Sequence, residues 1–179
     1  MSEPKTWIDV ADTAITIGLA ALVGGGFSVL LSALNHRREA KKEYFKRRRE
    51  LLEKILEDFD RFAEAQSVHW AKLANAVETP PEPLEARRRA ETEAKEAETV
   101  HWESYRCLLP CRSRLLLLGE CHCEAQLTAF RARSDEFFQI ATLSHPNCTK
   151  EKLAAHKTAL SAARTQFYNS LFQAHSKSV

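Results

Sequence analysis

The stretch from Thr13 to Leu34 holds 22 residues and not one charged side chain. As a helix rising ~1.5 Å per residue it would be about 33 Å long, close to the thickness of a bilayer's hydrocarbon core. Directly after it, residues 36–49 carry Arg37, Arg38, Lys41, Lys42, Lys46, Arg47, Arg48 and Arg49 against only Glu39 and Glu43. The whole chain is only +2, so the remainder of the 179 residues is acidic on balance. A cleavable leader would need a basic start, yet Glu3, Asp9 and Asp12 outnumber Lys5 there, and a basic helical pattern stands where a cleavage site should be.

Basic residues beside a span are retained on the cytoplasmic side. The sequence therefore predicts a single-pass inner-membrane protein with its N-terminus out. Residues 1–12 form a short extracytoplasmic end, 13–34 a transmembrane helix, 35–49 a polybasic juxtamembrane stalk and 50–179 a cytoplasmic helical bundle. In this reading Arg37, Arg38, Lys41, Lys42, Lys46, Arg47, Arg48 and Arg49 lie against anionic lipid headgroups. Nucleic acid is the weaker alternative partner, since electrostatics alone does not separate one phosphate from another.

The charge-free stretch has an internal pattern. Ala11, Ala14, Gly18, Ala21, Gly25, Ser28, Ser32 and Asn35 recur at alternating steps of three and four, which places small residues along one helical face. Such a seam lets helix backbones approach closely and favours coiled-coil-like packing. The core of the seam, Ala14, Gly18, Ala21, Gly25, Ser28 and Ser32, is the expected oligomerisation surface of a homo-oligomer.

Beyond the basic run the fold reads as all-α. Leu52, Ile55, Phe59, Phe62, Gln66, His69, Leu73 and Ala76 share one helical face, and the prolines of "ETPPEPLE" end that helix in a hairpin tip near 78–84. A second helix follows with a thin face of Ala90, Ala94, Ala97, His101, Tyr105 and Leu108. Pro110 is expected to break or kink it. The third helix, extending to about Leu143, would bury Leu116, Cys123, Leu127, Phe130, Phe137 and Ala141. After a turn at "SHPN", a last helix from about Lys150 to His175 would bury Leu153, His156, Leu160, Ala163, Phe167 and Leu171. Short connections make an antiparallel bundle the expected architecture. Trp70, Trp102, Tyr105, Phe130, Phe137, Phe138, Phe167 and Phe172 read as core or hairpin-packing residues.

Chemistry-bearing motifs are missing. Cys107, Cys111, Cys121, His122, Cys123, His145 and Cys148 match no common zinc spacing, and Cys121 and Cys123 point about 200° apart on a helix. Reduced, packed thiols are the expectation, with no metal or cofactor. The chain has no phosphate-binding glycine loop, nucleophile elbow or His-Glu-x-x-His. His101 with Glu103, and His122 with Glu120 or Glu124, are pairs that any His-bearing helical protein supplies, so no catalytic residue is assigned.

In layout alone, a single span followed by a basic stalk and a helical bundle resembles small membrane effectors of bacterial immunity systems, some of which oligomerise into pores. That resemblance implies a self-associating membrane effector or pore of a defence-type system. The alternative is a tethered helical adaptor that holds a soluble cytoplasmic protein or a nucleic acid. An exposed apolar patch on the hairpin would distinguish the adaptor.

Overall fold

The computed structural model describes the backbone of residues 7–176 and the side chains of residues 35–176. Four helices make up the described residues: α1 (Trp7–Glu78), α2 (Leu84–Leu117), α3 (Cys121–Ile140) and α4 (Lys150–Ser176). There is no strand among them. The chain divides into two compact units, Met1–Lys46 and Arg47–Val179, and α1 contributes to both.

In the first unit, the side chains described from residue 35 onward are exposed, apart from a half-buried Phe45. Tyr44 meets Phe45 edge-on at 5.6 Å, and the Lys41 ammonium lies 5.8 Å from the Phe45 ring centroid. The small-residue seam Ala14, Gly18, Ala21, Gly25, Ser28 and Ser32 lies outside the described side chains.

Among the described residues no helix is long and apolar enough to cross a membrane. This corrects the expected location, a single-pass protein of the inner membrane with its N-terminus out. The physical reason is visible from residue 35 onward: there α1, α2, α3 and α4 each offer one apolar stripe to a protein core and a charged face opposite. Such amphipathic surfaces do not suit a hydrocarbon surround on all sides.

The second unit is a helical bundle. Leu52, Ile55, Phe59, Phe62, Gln66, His69, Leu73 and Ala76 of α1 are all buried, as their spacing requires. Cross-helix partners run in opposite directions along the chain. Asp58 meets Arg114 at 2.5 Å, His69 meets His101 at 3.0 Å and Lys72 meets Glu93 at 2.8 Å, so α1 and α2 are antiparallel. The same holds for α2 and α3, where Tyr105 receives Arg131 at 2.7 Å and Arg112 reaches Glu124 at 2.7 Å. For α1 and α4, Tyr168 donates to Asp60 at 2.5 Å and Trp70 donates to the Leu153 carbonyl at 2.9 Å.

Phe59 is the aromatic hub. Its ring centroid is 4.9 Å from Phe130, 4.4 Å from Phe167 and 5.2 Å from Tyr168.

The breaks between helices differ in part from expectation. Pro110 lies inside α2, which runs on to Leu117. The proline removes one backbone donor, but Leu108, Cys111 and Leu115 on either side are fully buried, and that packing carries the helix through. The stop comes at Gly119, whose φ of +71° is the left-handed conformation that favours glycine. Because the break falls later, Leu115 takes the core position and Leu116 is exposed.

Gly119→Ala isolates that backbone preference, since an added Cβ would meet nothing within 4 Å. The substitution is expected to cost about 1 kcal/mol, a fall of roughly 2–4 °C in thermal midpoint for a domain of this size. An unchanged midpoint would show that the left-handed turn is not required.

At the hairpin tip, the Arg87 guanidinium donates from Nη1 to the Ala76 carbonyl at 2.6 Å and to the Thr79 carbonyl at 2.8 Å. Its Nε holds Glu91 at 2.6 Å. A cation at the C-terminal end of α1 satisfies orphan carbonyls and complements the helix dipole.

Candidate functional site

Two features of the α1–α2 hairpin stand apart from ordinary core packing, one inside it and one on its surface. Inside, His69 and His101 are both fully buried, with their Nδ1 atoms 3.0 Å apart. A neutral imidazole carries one N–H, so this contact needs one ring to donate from Nδ1 and the other to accept there. Two protonated rings could not make it. The pair is walled by aromatic rings: His101 stacks on Phe138 at 4.1 Å with planes 12° apart, and Phe62 lies 5.0 Å away. Phe137 meets His69 at 5.3 Å.

Among the described side chains, His101 Nε2 is the one buried polar atom without a hydrogen-bond partner. A lone pair left there costs less than an unpaired N–H, so His101 is best read as the Nδ1 donor. His69 borders a groove shared with Glu91, Lys95, Glu98 and Ser144. Burial lowers the His69 pKa to about 4. Burial, together with the charge His69 would carry, lowers that of His101 to about 3. Both rings are therefore neutral near pH 7, and His101 is closed off from solvent.

On the surface, α1 and α2 form a groove of about 510 Å³. Its floor is made of the buried small residues Ala65, Ala97 and Ser104. Val68 rises from α1 and Val100 from α2, 46% and 57% exposed. Glu64 and Glu103 stand on the rim against Arg61, whose Nη1 is 3.9 Å from the Cys107 sulfur. Helical periodicity does not mark either valine, because each directly precedes a core histidine and so sits off the apolar stripe. Apolar residues on an otherwise polar face were the available signal.

Of the eight basic residues assigned to the membrane surface, Arg37, Arg38, Lys41, Lys42, Lys46, Arg47 and Arg49 are exposed. Arg48 is different: it is buried and pairs with Glu120 at the α2–α3 turn. It falls one turn before Leu52 on the same stripe, so helical periodicity itself turns it into the bundle.

Two aromatic assignments are corrected. Trp102 is 66% and Phe172 73% exposed, because each faces away from the bundle axis. Tyr105 is half-buried and packs against the core, whereas His156, expected to be buried, is half-buried.

All five cysteines are free thiols. Cys111 and Cys123 are buried, Cys121 is exposed, and Cys107 and Cys148 lie between. Burial, reinforced by Asp58, pushes the Cys111 thiol up to about 12, so it is an inert packed group. Among the described residues no three His, Cys, Asp or Glu side chains converge as they would to hold a metal ion. Glu103 lies on the groove rim while His101 is fully buried, and Glu120 is held by Arg48 and Glu124 by Arg112.

No family model, no curated protein and no solved structure matches the chain.

Proposed function

We propose that this protein is a helical adaptor whose α1–α2 groove holds an amphipathic helix of a soluble protein partner. One observation carries the reading: two valines from different helices stand exposed over a floor of Ala65, Ala97 and Ser104. Small residues on a floor let a third helix approach closely, while flanking apolar walls give it anchors, the arrangement of helix-in-groove recognition. The rim holds Glu64 and Glu103 against Arg61. The complementary ligand is therefore a helix with apolar anchors at steps of three and four and basic residues beside them.

A second contact, between copies, is favoured by the charge-free residues 13–34 and their small-residue seam. A charge-free stretch of this length gains from cover when it is helical.

The test places a photo-crosslinking side chain at Val100, with Thr128 on α3 as the exposed control, in cells that naturally make the protein. The expected product is an adduct formed at Val100 and not at Thr128, whose crosslinked peptide is a basic amphipathic helix. Val68→Asp should abolish it while leaving the helical circular dichroism unchanged. An adduct joining two copies, near twice the 20.3 kDa of the chain, would make the groove a self-association surface instead. An adduct to RNA or DNA, or equal labelling at both positions, would overturn the protein-docking reading.

A further inference from the structure

A separate cleft of about 210 Å³ lies between α1 and α4. Its apolar wall is made by Trp70, Phe130 and Leu160, and its two cations are Lys157 and Arg164, two turns apart on α4. The polar groups are fixed in place. Gln66, only 5% exposed, donates from Nε2 to Ser134 Oγ at 2.7 Å, leaving its amide oxygen at the wall. The Trp70 indole is tied to the Leu153 carbonyl. Ser67 Oγ donates to the Ala63 carbonyl at 2.7 Å and receives Arg164 Nη1 at 3.4 Å.

No carboxylate lines the cleft, and among the described residues neither cation is paired with an acidic side chain. Lys157 rests over the Trp70 ring at 4.0 Å, and Arg164 reaches the Ser67 hydroxyl. Two cations that line one apolar recess, with no carboxylate among its lining residues, form a site for an external anion.

We propose that this cleft binds a small organic acid. Its carboxylate meets Lys157 and Arg164, and its apolar body lies against Trp70, Phe130 and Leu160. The volume is below the 300–1,000 Å³ usual for drug-sized ligands, so the occupant is about the size of one substituted ring. A hydroxyl or amino group on that ring would find its acceptor in the Gln66 amide oxygen. This inference stands apart from the docking groove and shares no residue with it.

The probes are benzoate, phenyl phosphate and the neutral isostere benzamide. Each is titrated into the full chain while the three tryptophan indole N–H signals are followed by NMR, with Trp7 and Trp102 as internal references. The expected result is a saturable shift confined to Trp70, with benzamide binding at least tenfold more weakly than benzoate. Lys157→Gln and Arg164→Gln should each weaken benzoate by about tenfold or more, as loss of a charged contact does. Three results would overturn the proposal: equal binding of benzamide, a common shift of all three indoles, or unchanged affinity in both variants. Phenyl phosphate separates the head groups, and if it binds tighter than benzoate the carboxylate assignment gives way to phosphate.

Discussion

Between pH 7.5 and pH 5 the bundle is expected to lose about 4 kcal/mol of stability through two histidines. The sign follows from the direction of the shifts. Burial lowers the folded-state pKa of His69 to about 4 and of His101 to about 3, against an unfolded value near 6.5. The unfolded chain therefore takes up protons first. The contribution is fully present above about 6.5 and is lost as the pH falls towards 4 and 3. At pH 5 the cost is roughly 2 kcal/mol per imidazole.

The surroundings offer the imidazolium little compensation. Phe137 and Phe138 face the pair from α3, while Glu91, Lys95 and Glu98 of α2 reach only the groove beside His69. The window above pH 5 also excludes the carboxylates. Glu93, held down by Lys72 and Arg89, and Glu124, held down by Arg112 and Thr128, contribute above their ordinary values and are lost only below them. Urea midpoints at the two pH values measure the effect, and His69→Leu with His101→Phe should flatten it. A wild-type midpoint that does not move, or a double variant that keeps the full pH slope, would sink this account.

Phe59→Ala is the single substitution expected to cost most, about 3–5 kcal/mol. It opens a cavity where Phe130, Phe167 and Tyr168 meet, so one deletion loosens the contacts of α1 with both α3 and α4. Against a typical total of ~5–15 kcal/mol, that is enough to leave a measurable unfolded fraction. Phe59→Leu, which keeps most of the buried volume, should cost less than half as much. A urea midpoint shift worth under about 1.5 kcal/mol for the alanine variant would show that the neighbouring rings collapse into the space.

Much of the bundle was legible in the sequence because burial leaves a period. The α1 stripe from Leu52 to Ala76 and the α2 stripe of Ala90, Ala94, Ala97, His101 and Leu108 are buried as read, since only one face of each helix meets the others. Local chemistry was less decisive. Proline suggested the end of α2, but packing around Leu108, Cys111 and Leu115 outweighed one missing donor, and Gly119 made the turn. The exposure of Trp102 and Phe172 went against a general tendency of aromatic residues.

Neither the histidine pair nor the two-cation cleft was legible. Each depends on the register between helices that are far apart in sequence: residues 69 and 101 for one, Trp70 with Lys157 and Arg164 for the other. Periodicity reports which face of a helix is buried, not which residue stands opposite. The location was misread because length and absence of charge in residues 13–34 were weighed against a bilayer, whereas no described helix is apolar enough to cross one.

The Arg87 clasp at the hairpin tip bears on how this chain could be re-engineered. One guanidinium from the first turn of α2 gathers two carbonyls at the end of α1 and a carboxylate of its own helix, so the spacing across the prolines is set by the reach of a single side chain. Lysine has the charge but not the planar fork, and a few extra residues would carry the donor out of range. The tip looks like a permissive loop, with three prolines and mostly exposed residues. It is in fact a poor place to insert a tag or splice in a domain, because the joint depends on a fixed distance.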